Sequence, residues 1–339
     1  MKENKIGAIL VTGGAGFIGS HSTIELLKLG YRVVVIDNFS NSKKDIIKKI
    51  KKVSKKTFPF YNCDIRNTPK IIDIIKKNKI NIVLHFAGLK SVEESIINEK
   101  IYLENNLVGT LKLLNATAAT DIKKIIFSSS ATVYDSKNKA PFSEEDKLYP
   151  ISPYGKSKEI IEKFLKELCL KDKSLSVVCL RYFNPIGAHP SGIIGEEIRK
   201  SSRNLIPNIG KVIKHKSKHL TIFGNNYKTK DGTCIRDYIH IIDLVEGHIS
   251  AIKYAKHNKG WQAINLGTGK GYSVLEVVKT FENILNRKIK VKYVKQRKGD
   301  VPISFANNDK AKKLLKWKAK YNLKEMCESF CKWKKLNIK

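Results

Sequence analysis

The sequence predicts an α/β fold, a doubly wound parallel sheet with a smaller C-terminal lobe, and three observations predict it. An apolar run, Ile9-Leu10-Val11-Thr12, stops at glycines and restarts with helical spacing. Short apolar runs then alternate with amphipathic stretches as far as residue 86, the pattern of a parallel sheet covered on both faces. Beyond Asn184 the alternation loosens, and a second lobe is expected to begin there. At 339 residues the chain has room for one large α/β domain with an elaborated lobe, or for two ordinary domains.

The first element is the most specific. Gly14-x-Gly16-x-x-Gly19 follows the opening strand and starts a helix over 17–29. In this Rossmann-type fingerprint the glycines permit a positive φ, close approach of a pyrophosphate to bare backbone, and tight helix-on-strand packing. The N–H groups of the first helical turn then face an anion. A second strand over 32–36 leads to Asp37, 18 residues after Gly19, where a carboxylate accepts hydrogen bonds from an adenosine ribose diol. Asn38 rather than Arg follows, so NAD is expected over NADP, although Lys43 and Lys44 are close enough in sequence to meet a 2′-phosphate.

A helix over 43–53, a strand over 58–62, a helix over 68–78 and a strand over 81–86 come next. Ligands of such sheets bind beyond the carboxyl ends of the strands. Asp64 and Ile65 close the third strand, with Asp64 either at an adenine edge or capping the next helix. Phe86, Ala87, Gly88 and Lys90 close the fourth, where small residues let a flat cofactor approach the backbone. Residues 91–120 read as one helix with Asn105-Asn106 in an apolar stripe, and Asn105 is expected either to cap a neighbour or to brace the site backbone. The strand over 125–130 ends in Ser128, Ser129 and Ser130, hydroxyls at the edge of the crevice.

The chemistry is expected from the next helix. Ser152 suits its N-cap and Pro153 its first position, and the amphipathic pattern runs to about Asp172. Tyr154 and Lys158, four apart, share one helix face, and the ammonium is expected to pull the phenol from its usual pKa of ~10 toward working pH, making it a base. Lys156 points elsewhere and is expected in solvent. A strand over 176–181 follows, then a strand at 237–240, helices over 242–257, 273–286 and 322–335, and a strand at 263–266.

Composition narrows the partners. Lys and Arg number 65 against 31 Asp and Glu, a net charge of +34 that invites a polyanion. The lysines are dispersed among apolar residues at helical spacing, as in Lys48-Lys49-Ile50-Lys51-Lys52, and no compact nucleic-acid-reading motif accompanies them. No nucleic-acid partner is expected, whereas the field favours a diphosphate-bearing small molecule. The six cysteines lack metal-ligand spacing, Cys327 and Cys331 included, so free thiols and no metal are expected. The basic start precedes an apolar run far short of a signal peptide or membrane span, which predicts a cytoplasmic protein with no membrane partner.

Residues 12–21, 86–90, 128–134, 181–185 and 231–240 carry a family resemblance extending from Thr12 to about Ala306. The chain resembles the extended short-chain dehydrogenases/reductases, and among them the epimerases acting at C4 of UDP-hexoses. The resemblance implies interconversion of UDP-galactose and UDP-glucose through a 4-keto intermediate, with NAD kept bound. It assigns the cofactor to Gly13, Gly16, Phe17, Ile18, Gly19, Asp37, Asn38, Asn41, Ser42, Asp64, Ile65, Phe86, Ala87, Gly88, Lys90, Asn105, Ser128, Tyr154, Lys158 and Phe183. It assigns the substrate to Lys90, Ser130, Tyr154 and Asn184, with Asn204 and Leu205 along phosphates and uridine, and Thr221 and Phe223 around the uracil. Arg236 and Arg297 match diphosphate ligands, as guanidinium forks suit phosphate oxygens, and Asp300 matches the uridine-ribose acceptor. Tyr154, Lys158 and Ser130 are the implied catalytic residues.

The same resemblance implies a cofactor domain over 1–181 and 235–266, a UDP-sugar lobe over 182–234 and 267–339, and a homodimer formed through helices near 91–119 and 152–171. Ser304 occupies a position where members carry either a bulky Tyr or a small residue, so turnover of N-acetylated UDP-hexosamines is expected as well, provided Phe305 does not fold into the space. Glu93 and Asp135 depart from the pattern, each replacing a usual Gly. A 4,6-dehydratase of this fold needs an acid pair just after the serine strand, where this chain has Ala131-Thr132-Val133. A uronate epimerase would want a cation for the sugar carboxylate, and a silent NAD-sensing or nucleic-acid-binding protein would have no need of the Ser, Tyr and Lys.

Overall fold

The computed structural model describes residues 7–197, 204–297 and 300–336; the basic start at 1–5 and residues 298–299 of the motif ending at Ser304 lie outside them. In chain order the larger body contains β1 (Ala8–Thr12), α1 (Phe17–Lys28), β2 (Val33–Asp37), α2 (Asp45–Ser54), β3 (Phe60–Asn62), α3 (Thr68–Asn78) and β4 (Ile80–His85). There follow α4 (Val92–Ile97), α5 (Glu99–Tyr102), a π-helical turn (Leu103–Val108), α6 (Gly109–Ala119), β5 (Lys124–Ser130), α7 (Pro153–Lys171) and β6 (Ser176–Tyr182). The smaller lobe brings β7 (Asn184–Ile186), α8 (Leu205–Ile213), β8 (Leu220–Phe223) and β9 (Ile235–His240). The chain then continues through α9 (Ile241–His257), β10 (Gly260–Leu266), β11 (Gly271–Ser273), α10 (Val274–Leu285), β12 (Val291–Val294), β13 (Ile303–Ser304) and α11 (Leu323–Trp333).

Seven strands form one parallel sheet in the order β10-β6-β5-β4-β1-β2-β3. Period-two alternation sends Ile9 and Val11 to a face shared with Ile24, Ile50 and Ile252, while Ala8 and Leu10 meet Ile71, Ile74 and Leu113 on the other. Both faces are therefore dry, which is why the strands read as unbroken apolar runs. The order reverses between β1 and β4, and a crevice for a ligand is expected at that point, beyond the strand ends.

Two expectations are corrected. Residues 91–120 are not one helix: the chain breaks at Asn98 (φ −124°, ψ 52°) and widens into the π turn before α6 resumes. The bonding ladder is interrupted there because the segment bends so that Asn106 is buried against the loop after β4. The strand at 237–240 is expected in the cofactor domain, yet β9 pairs with β7, β11 and β13 in a separate sheet. The edge beside β6 is taken by β10, so the returning contribution to the large sheet is α9 and β10 alone.

The smaller lobe has its own apolar core, built from α8, α10, α11 and β8 around Ile209, Val277, Phe281, Met326 and Phe330. The six cysteines are buried free thiols, and among the described residues no cluster suits a metal ion. No described helix is long and apolar enough to cross a membrane.

Candidate active site

The glycine turn leaves no room for side chains at Gly13 and Gly19. Gly13 has φ +66°, and a Cβ there would lie 2.7 Å from the Ala87 nitrogen; one on Gly19 would lie 2.3 Å from the Gly13 carbonyl oxygen. A Cβ on Gly16 would meet nothing within 4 Å except the Gly13 oxygen at 3.2 Å, so bare backbone faces open space at the helix start. Phe17 and Ile18 follow there, both half-buried.

Asp37 is buried at the end of β2. Its Oδ2 accepts from the Ala15 N–H at 3.0 Å, and its Oδ1 accepts from the Phe39 N–H (2.8 Å) and the Ser42 hydroxyl (3.0 Å). Asn41 is exposed beside it. Asn38 donates to Asp64 Oδ2 at 2.8 Å, and Arg66 grips the same carboxylate at 2.8 and 2.9 Å. Those Arg66 contacts, against the cost of burial, hold the Asp64 carboxyl down to about 2. The capping alternative for Asp64 is corrected: Asn67 caps α3, accepting from the Lys70 N–H at 3.2 Å. The side chain of Ile65 is buried in the core under the sheet.

The loop after β4 is braced from behind, and not by Asn105. Asn106 is the brace: its Oδ1 accepts from the Leu89 N–H at 2.8 Å and its Nδ2 donates to the Leu89 carbonyl at 2.9 Å. Asn105 leans on Asn106 at 3.1 Å, because the π turn rotates its neighbour into the buried position. A buried chain, Thr12 Oγ1–His85–Thr110 Oγ1 at 2.7 and 2.9 Å, ends on the Asn106 carbonyl at 2.6 Å and ties the crevice walls together. Burial lowers His85 to about 3, so the ring is neutral. The amide of Ala87 donates to Thr12 Oγ1 at 3.3 Å, Phe86 packs on His248 with centroids 4.8 Å apart, and Lys90 pairs with Glu196 at 2.5 Å.

Ser130, Tyr154 and Lys158 meet at the end of β5. Ser152 caps α7, accepting from the Gly155 N–H at 3.1 Å, and Pro153 opens the helix as its sequence predicts. This delivers Tyr154 in the first turn, buried and facing the Ser130 hydroxyl. Ser130 Oγ also accepts from Thr132, at 3.2 Å from its N–H and 3.0 Å from its hydroxyl. The Lys158 ammonium donates to the Ser128 carbonyl at 2.8 Å and lies 5.8 Å from the Tyr154 ring centroid.

The expected fall in the Tyr154 pKa is not found in the protein alone. Burial pushes the phenol up to about 12, opposed by the bond to Ser130. Burial likewise lowers Lys158 to about 8, with the Glu162 carboxylate opposing it. Desolvation penalises either charged form more than the two groups compensate each other. Lys156 is exposed, as expected.

Sequence reasoning missed what stands behind this trio. Glu162, one turn beyond Lys158, is buried against Arg181, which donates to it at 2.6 and 3.1 Å, and it also accepts from the Ser129 hydroxyl. Tyr182 donates to the Ser128 hydroxyl. The available signal was a glutamate set in the apolar face of α7.

The smaller lobe supplies a second cluster. Arg236 donates to the Ile235 and Val301 carbonyls at 2.8 Å and to Asp300 at 3.3 Å. The Arg297 guanidinium carbon lies 3.9 Å from the Phe223 ring centroid, and its Nε is 3.3 Å from Glu93 Oε1. Asn204 stands exposed at the start of α8 with Leu205 half-buried behind it, and Thr221 is half-buried on β8. Asn184 donates to the Asp237 carbonyl at 3.0 Å, and Phe183 packs near Phe142. Ser304 is buried on β13 in register with Arg236, whereas the Phe305 ring turns toward Gly271. Asp135, the other departure, is buried and accepts from the Lys137 N–H at 3.0 Å.

With this geometry in hand, the family model described as GDP-mannose 4,6 dehydratase matches residues 10–330. The UDP-glucose 4-epimerase of Bacillus subtilis (strain 168) is 45% identical over 331 residues, covering 98% of each chain. The structure superposes on UDP-glucose 4-epimerase from Stenotrophomonas maltophila with bound NAD and formylated UDP-arabinopyranose at TM-score 0.94 and 37% identity, over 97% of this chain and 98% of that one. The Bifidobacterium longum enzyme in complex with NAD+ and UDP gives TM-score 0.93 and 41% identity over the same shares.

Proposed function

Because the chain belongs to the UDP-glucose 4-epimerase family, we infer that it interconverts UDP-galactose and UDP-glucose with tightly bound NAD. The observation that carries this reading is the buried Ser130–Tyr154 pair at the carboxyl end of β5, one strand from the sheet's switch point, with Lys158 one turn away. The bare backbone of Gly16 fits a pyrophosphate, with Gly13 and Gly19 allowing the tight turn and close helix packing around it, and the Asp37 carboxylate fits a ribose diol, so these residues would hold NAD. When bound, NAD supplies reversible hydride acceptance from C4 of the hexose and a positive charge that favours an ionised phenol.

Tyr154 takes the proton of the sugar 4-hydroxyl and returns it to O4. Ser130, oriented by Thr132, hydrogen-bonds O4 while its charge changes. Arg236, Arg297 and Asp300 hold the UDP moiety, leaving the hexose free to turn before C4 is re-formed with inverted configuration. Among relatives of this fold a dehydratase would need an acid pair after β5, and here Ala131–Val133 forms a short 3-10 turn with none.

Purified protein is expected to convert UDP-galactose to UDP-glucose without added NAD, and to release NAD on denaturation. Absence of turnover together with salt-sensitive retention of nucleic acid would favour a polyanion-binding protein instead.

Ser304 favours a wider substrate range, because a small side chain stands where a bulky Tyr would limit the sugar pocket. Ser304→Tyr is expected to lower the ratio of UDP-N-acetylglucosamine to UDP-glucose turnover by about tenfold or more. No turnover of either N-acetyl sugar by the parent protein would sink the wider range.

Ile96, Ile97, Ile101 and Val108 are exposed on the segment that packs against α7, which itself exposes Ile160 and Phe164. We assign this apolar face to a homodimer contact. The buried free thiols fit a reducing compartment, and a cytoplasmic location accords with them.

A further inference from the structure

We propose that Glu93 is a positioning residue that competes with the substrate diphosphate for Arg297, so that UDP-sugars and UDP are held less tightly than the arginines alone would hold them. The proposal rests on the reading of Arg297 as a diphosphate ligand. Glu93 lies in the first turn of α4, just beyond the end of β4, and Arg297 lies between β12 and β13 of the smaller lobe. Their 3.3 Å contact therefore joins the cofactor body to the substrate lobe. Both side chains are about 30% exposed (30% for Arg297, 29% for Glu93), so the pair is shielded enough to matter and open enough to be exchanged.

The guanidinium is confined on two sides. Phe223 covers one face at 3.9 Å and the Glu93 carboxylate sits at the Nε edge. The Glu93 carboxylate engages the guanidinium as an ion pair, so an incoming diphosphate, anionic as well, contends with it for the same cation. A carboxylate at that distance from the arginine also repels a second anion brought to it. The other arginine of the cluster is loaded similarly, by Asp300 at 3.3 Å, but that carboxylate belongs to the same lobe and moves with it. Glu93 alone of the two comes from across the cleft. Nucleotide binding then exchanges an inter-lobe tie for contacts to the ligand, and nucleotide release restores the tie.

The test measures UDP affinity by calorimetry, and KM and kcat for UDP-galactose, in the parent holoenzyme and in Glu93→Gln, Glu93→Asp, Arg297→Gln and the Glu93→Gln/Arg297→Gln double variant. Glu93→Gln keeps the shape and loses the charge. It is expected to tighten UDP about threefold and to lower KM in proportion, with kcat holding or falling and the gain shrinking as salt is raised. Glu93→Asp restores the charge and the parent's affinity, and the gain vanishes in the Arg297→Gln background. Unchanged or weaker UDP binding in Glu93→Gln, with Arg297→Gln clearly weakened, overturns this proposal and leaves the diphosphate assignment standing. Unchanged binding in Arg297→Gln overturns the assignment and the proposal with it.

Discussion

Tyr154→Phe is expected to lower kcat for UDP-galactose by about 10³-fold while the protein still releases NAD on denaturation. The substitution deletes one oxygen from a buried ring, so packing at the start of α7 is retained and the proton carrier is lost. The phenol also faces Ser130, which keeps its two contacts from Thr132 when the phenol is removed. A kcat within tenfold of the parent would mean that another group moves the proton. Because burial holds the phenol up to about 12 in the protein alone, the parent's activity is expected to depend on the bound cation of NAD to bring the phenol into range. The readout is the kcat-against-pH profile, whose rise with pH as the phenol ionises should be absent in Tyr154→Phe.

Arg181→Met is expected to destabilise the fold by about 3–5 kcal/mol, seen as a lower urea midpoint at unchanged slope. Arg181 and Glu162 are each about 2% exposed, and the guanidinium forms three bonds to the carboxylate at 2.6–3.1 Å. Burial works against the guanidinium charge, and the contacts to Glu162 and Tyr134 outweigh it. Without the arginine, Glu162 is left as a charge in a dry interior, joined to Ser129 directly beside the reacting end of β5. Adding Glu162→Leu to Arg181→Met should recover much of the loss, because an apolar pair of similar volume carries no desolvation cost. A midpoint unchanged in Arg181→Met would show that the pair contributes nothing.

The parts legible in the amino-acid order were those governed by neighbours. Ser152 and Pro153 announce the start of α7 because a cap and its first-turn amides lie within three residues. Gly13, Gly16 and Gly19 announce the turn because steric exclusion acts over the same short span. The bracing role expected of Asn105 falls to Asn106, since a helical period assumes 3.6 residues per turn and the π turn abandons it. Asp64 stood between an adenine edge and a helix cap, and the fold removes the second role by giving the cap to Asn67 and engaging Asp64 with Arg66.

Periodicity, glycine spacing and the Tyr154–Lys158 interval were enough to predict a parallel sheet, its cofactor turn and the Tyr–Lys pair, since each depends on backbone geometry repeated over a few residues. The folded arrangement was needed to learn that β9 leaves the large sheet, that Glu162 and Arg181 stand behind Ser129, that Glu93 reaches Arg297, and that the phenol is raised rather than lowered. Burial and ion pairing are properties of groups brought together from distant parts of the chain, and no local pattern encodes how much water is left around them.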